Sequence, residues 1–162
     1  VQNMSSVNRL TLSLWDTETG NWYVNRNPIS VATAPSACLL GQHGDIPLGR
    51  IERDADYVSE MVTFRPGVWG GSSPLLRFKN SAFSSCTTTT TSHTVGTSTS
   101  IPFVVSDFSG DRTPDMWLVD PVNMMWFGYT SQDDFNTSQI TIANFGIDSA
   151  VPLSSPLPGD CK

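Results

Sequence analysis

Residues 45–66, DIPLGRIERDADYVSEMVTFRP, can be laid over residues 100–121, SIPFVVSDFSGDRTPDMWLVDP, without a gap. Ile46-Pro47 falls on Ile101-Pro102, Met61 on Met116 and Pro66 on Pro121, while Glu52, Asp56 and Glu60 fall on Asp107, Asp111 and Asp115. Self-similarity at a fixed spacing constrains a chain more than composition does, because each copy is one supersecondary unit that must bury its apolar face on a neighbour. A third start, Val151-Pro152, takes the Ile-Pro place near the end of the 162 residues, so the spacings are 55 and 50.

The units are strands. Helical periodicity is nearly absent, and Gly, Pro, Ser, Thr and Asn interrupt the chain at intervals of about 8 to 12 residues. Between them lie short runs rich in β-branched and aromatic residues: RLTLSLW (9–15), NWYVNR (21–26), EMVTFRP (60–66), PLLRFKN (74–80), DMWLVDP (115–121), MMWFGYT (124–130) and SQITIANF (138–145). Trp15 and Trp22 are separated like Val119 and Trp126, which aligns a strand, turn and strand in each place. The expectation is an all-β chain of β-propeller-like blades with about four antiparallel strands each. Residues 1–162 read as a single unit with repeat-like segments at approximately 1–49, 50–104 and 105–153 and a truncated next repeat at 154–162. A β-sandwich or jelly roll is the alternative that uses the same strands. Trp22 and Trp126 occupy equivalent positions and read as core between neighbouring blades.

The order Gly44-Asp45-Ile46-Pro47, acidic loop, Phe64-Arg65-Pro66 and Gly20-Asn21-Trp22-Tyr23 resembles the FG-GAP or VCBS-type repeat of integrin-α-like β-propellers. The resemblance implies blades braced by calcium, with a structural or adhesive task. Three blades are fewer than the about four a closed ring requires, so it also implies self-association or further blades of a longer chain. In the loop 107–115, Asp107, Ser109, Asp111 and Asp115 stand at positions 1, 3, 5 and 9, with the carbonyl of Thr113 at position 7. Such alternation suits a hard cation that takes about six to eight oxygens. A weaker second loop offers Glu52, Asp54, Asp56, Val58 and Glu60 at the same spacing, with Ala55 in place of Gly110. An Asx-type turn whose acids cap backbone amides is the competing reading.

Catalysis finds little support in the residues. His43 and His93 belong to no metalloprotease motif, and no nucleophile elbow or phosphate-cradling loop occurs in the sequence. Trp69, in the glycine-rich stretch PGVWGGSS, makes a carbohydrate-binding lectin the second functional expectation; a fibre- or capsid-forming sandwich is the third. The net charge of −6, with two lysines among nine basic residues, disfavours nucleic acid as a partner. No apolar run approaches the about 20 residues of a membrane-spanning helix. Sequons at Asn3 and Asn136 and a Ser/Thr run at 84–100 point to an extracellular or cell-surface setting, where Cys38 and Cys86 are the favoured disulfide among three pairings that include Cys161.

Overall fold

The computed structural model describes residues 12–25, 36–51, 60–68, 71–79 and 90–145, and they are all-β. The first sheet contains β1 (Leu12–Trp15), β2 (Asn21–Asn25) and β3 (Ser36–Leu39). β4 (Ile46–Ile51), β5 (Glu60–Arg65), β6 (Leu75–Lys79) and β7 (Thr90–Thr94) form the second. The third consists of β8 (Ile101–Ser106), β9 (Asp115–Asp120), β10 (Met125–Tyr129) and β11 (Ser138–Ala143), with a single 3-10 turn at Ser131–Asp133 before the last strand. Every sheet is an antiparallel meander in chain order. Among the described residues no strand crosses from one sheet to another, as a Greek-key or jelly-roll connection would require.

The aligned segments share more than strand positions. In the second sheet Ile46 pairs with Phe64, Arg50 with Met61 and Ile51 with Glu60. In the third, Ile101 pairs with Val119, Val105 with Met116 and Ser106 with Asp115, so each partner is displaced by 55 residues. Both ladders slip at the same place, between Pro47 and Gly49 and between Pro102 and Val104. Proline has no N–H to give the ladder, which makes this step the natural one for a bulge.

Alternation of side chains across a strand assigns each sheet two faces. Val62, Phe64, Leu76 and Phe78 leave one face of the second sheet and meet Met116, Leu118, Tyr129 and Phe135 from the third. Met61 leaves the opposite face and joins Trp22, Val24 and Cys38 of the first sheet and Leu40 just after it. The second sheet is therefore covered on both sides. Each large apolar side chain sealed this way contributes about 1.5–3 kcal/mol. The strands of the three sheets lie within residues 12–39, 46–94 and 101–143, because β4 and β8 pair with the strands that follow them.

The two aligned tryptophans differ in setting. Trp22 is buried and meets Trp15 edge to face at 5.4 Å. Trp126 lies half-buried on the outer face of the third sheet, against Phe103 at 5.1 Å and Phe145 at 5.6 Å. The expectation of a core role between sheets describes Trp22; no described sheet covers Trp126.

Candidate functional site

The acidic loop between β8 and β9 closes on itself. Asp107 accepts hydrogen bonds from the backbone N–H groups of Gly110 (2.6 Å), Asp111 (3.2 Å) and Arg112 (2.9 Å), an Asx-type arrangement for which Gly110 and Arg112 take positive φ of 82° and 73°. Asp111 accepts from Thr113 N–H (2.7 Å) and Thr113 Oγ1 (2.5 Å), and from Ser131 Oγ at 3.1 Å. Burial pushes the Asp111 carboxyl up, but the hydrogen bonds from Thr113, Ser131 and Gln132 outweigh it and hold the pKa below the ordinary value.

Asp115 is sealed from solvent at the head of β9. Its carboxylate accepts from Phe108 N–H (2.9 Å), Ser109 N–H (2.8 Å), Ser131 N–H (3.0 Å) and Ser131 Oγ (3.4 Å). The Ser131 hydroxyl has one proton to share among Asp111, Asp115 and Thr113, so the three N–H groups of the loop and the turn after β10 are the firm partners of this carboxylate. Thr113 and Ser131 also join their hydroxyls. Ser109 thus contributes its N–H inward, and Thr113 its N–H and hydroxyl.

This arrangement fits the expected calcium cage poorly. Among the described residues no group of three or more His, Cys, Asp or Glu side chains is placed to hold a metal ion. The loop is closed by N–H and O–H donors. Of the second loop, Glu52, Asp54, Asp56 and Val58 lie outside the described residues, while Glu60 is fully buried at the position matching Asp115. Trp69, Asn3, Cys86 and Cys161 also lie outside them. Cys38 is disulfide-bonded and Asn136 is exposed. His43 is exposed, 3.8 Å from Glu18. His93 belongs to β7, with its ring 5.8 Å from Phe78 and its Nε2 3.5 Å from Asp134. The two histidines share no site.

Sequence reasoning missed a second polar constellation, in the turns that join the sheets. Leu40-Gly41 before the second sheet matches Val95-Gly96 before the third, again 55 residues apart, and both apolar residues are buried. In the first turn Gln42 N–H donates to Asp45 Oδ2 at 3.0 Å; in the second Thr97 N–H donates to Ser100 Oγ at 2.9 Å. The end of the sheet's second strand then reaches back to the turn. Arg65 grips Asp45 through Nε (2.8 Å) and Nη2 (3.0 Å), and the hydrogen bond to Asp45 raises the arginine's pKa. At the matching place Asp120 accepts from Thr97 Oγ1 (2.5 Å), Thr99 Oγ1 (2.7 Å) and Asn123 Nδ2 (2.7 Å). An anion thus stands where the second sheet has a cation, and its hydroxyl partners Thr97 and Thr99 stand at the places of Gln42 and Gly44, while Ser100, at the place of Asp45, bonds Thr97. A further pair of bonds ties neighbouring sheets: Lys79 Nζ donates to the carbonyl of Leu39 at 3.3 Å, and Gly96 N–H donates to Tyr129 Oη at 2.7 Å. Lys79 and Tyr129 sit opposite Met61 and Met116, so this clasp also follows the common frame. Burial raises the Tyr129 pKa, which the bond from Gly96 partly offsets.

Asp120 gives the site a pH dependence. Burial works against its charge, yet the hydrogen bonds from Thr97, Asn123 and Thr99 outweigh burial and hold its pKa at about 2. An unfolded aspartate titrates near about 3.9, so the native state binds this proton less readily than the unfolded one. The stabilisation is complete above that value and is lost as pH falls toward 2, a difference of about 2 kcal/mol. Melting curves across this window should show an acid-side fall that Asp120→Asn flattens; parallel curves for the two proteins would contradict the assignment.

No family model matches the chain, and neither a curated protein nor a solved structure matches it.

Proposed function

We propose that this chain is a non-catalytic, extracellular β-propeller-type module that serves adhesion or self-assembly. One observation carries the reading: two successive sheets repeat the same pairing, bulge and joining turn in a common 55-residue frame, and the second sheet has neighbours on both faces. In a stack built by repetition each sheet face takes a neighbouring unit, whether a second copy or a further blade of a longer chain. The disulfide at Cys38 supports an oxidising, extracellular setting. The FG-GAP or VCBS resemblance supports the same task and implies a calcium brace, whereas the acids of residues 107–115 are engaged by the loop's own donors. In this reading calcium is dispensable for closing that loop.

Native mass spectrometry of the 162-residue chain tests the reading. Masses at multiples of 17.6 kDa are expected, unchanged by a chelator. A monomer at every concentration contradicts assembly, and dissociation on chelation contradicts the dispensable calcium.

A further inference from the structure

We propose that the outer face of the third sheet seats the outer face of the first sheet of a second copy of this chain, head to tail. The inference rests on the assembly reading and names the surfaces that carry it. Ile101, Val119, Trp126 and Ile142 form one register row across all four strands of the third sheet. The matching row of the second sheet is Ile46, Phe64, Leu76 and His93. There Phe64 and Leu76 are 0% and 1% exposed, because the third sheet lies on them. In the third sheet Val119, like Phe64, is buried at 5%, and Ile101 at 43% is close to Ile46 at 37%. The difference lies in the last two strands, where Trp126 is half-buried in the place of sealed Leu76 and Ile142 is 40% exposed, and the adjoining row adds Trp117 and Ile140, the latter 39% exposed. Neither row of the third sheet contains a charged residue. An aromatic and aliphatic face of this kind marks a binding surface.

The occupant follows from continuity with the two interfaces inside the chain. Each joins the Phe64-type face of one sheet to the Met61-type face of the next: Trp22 and Cys38 meet Met61, then Phe64 and Leu76 meet Met116 and Leu118. The face that would come next belongs to a sheet's Met61 side. The described sheet with that side uncovered is the first, where Leu14 and Leu39 are 62% and 59% exposed on the side opposite Trp22 and Cys38. Leu14 lies opposite Tyr23, so an aromatic ring completes the patch. The contact is heterologous, joining two different surfaces. Two copies bring together twice three sheets, within the about four to eight blades of closed propellers.

Size-exclusion chromatography with light scattering tests this on the 162-residue chain, using Leu14→Glu and Ile142→Glu. Both sites are exposed, so each variant is expected to melt like wild type, while a charge buried in the contact weakens association by about tenfold or more. Should Ile142→Glu melt early, Ile140→Ser with Ile142→Ser carries the same test. Mixing the two glutamate variants restores association, because one copy retains its first-sheet face and the other its third-sheet face. A wild-type monomer overturns this inference together with the assembly reading. Association that survives both substitutions overturns the inference alone, and so does a mixture that fails to associate.

Discussion

Phe78→Ala is expected to destabilise the protein by about 4 kcal/mol, the cost of removing a fully buried ring from a close-packed site. For a chain of this size each kcal/mol moves the melting temperature by roughly 2–4 °C, so the fall exceeds about 8 °C. Phe78 occupies the face of β6 that the third sheet covers, stacks on Phe135 at 5.4 Å and is 0% exposed. Phe135 follows β10 and adopts φ 56°, so its place beneath the second sheet depends on the turn that holds it. The cavity left by alanine would lie between sheets, where neither can collapse without shifting the other. Phe78→Leu retains most of the volume and is expected to lose about 1.5 kcal/mol. Urea titrations measure both. Equal losses for the two variants would place the ring outside the inter-sheet contact.

Asp115→Ala is expected to lower stability by about 3 kcal/mol, because the substitution leaves buried donors without an acceptor. The N–H groups of Phe108, Ser109 and Ser131 all point at this carboxylate. Loop and turn are parted from each other by the whole of β9 and β10, and this side chain joins them together with the contacts of the Ser131 hydroxyl to Asp111 and Thr113. Asp115→Asn keeps one oxygen but turns an amide nitrogen toward N–H groups, so it recovers only part of the loss. Ser131→Ala removes the hydroxyl and leaves its backbone bond, for an expected loss of about 1 kcal/mol. If Asp115→Asn proved neutral while chelation destabilised the wild type, a cation would be the closing element.

The strand pattern was legible in the sequence because pairing fixes register. A displacement of one residue would turn Phe64 and Val119 to the opposite faces, so the gap-free alignment of residues 45–66 with 100–121 is preserved in the ladders themselves. The acid spacing of residues 107–115 was legible as a tight turn. Its partners were not, since Ser131 reaches Asp111 and Asp115 only after β10 has returned alongside β9. The joining turns were hidden for another reason. GQHGD and GTSTS share little beyond a glycine, because the strand end reaches back to the turn through different partners, Arg65 to Asp45 in one and Asp120 to Thr97 and Thr99 in the other. Burial of the aromatic positions was half legible: Trp22 and Trp126 match in register, and the presence of a neighbouring sheet decides which one is sealed.

The central claim is that the third sheet and its joining turn are built in the frame of the second, with Ser100 standing where Asp45 stands and Asp120 where Arg65 stands. A double-mutant cycle with Ser100→Asp and Asp120→Arg measures it directly. Ser100→Asp alone sets a second carboxylate beside Asp120, and Asp120→Arg alone abandons the hydroxyls of Thr97 and Thr99. Together they recreate the Asp45–Arg65 pair in the third sheet. The account predicts that the double variant is more stable than the sum of the single losses by about 1–2 kcal/mol; strictly additive losses would contradict it.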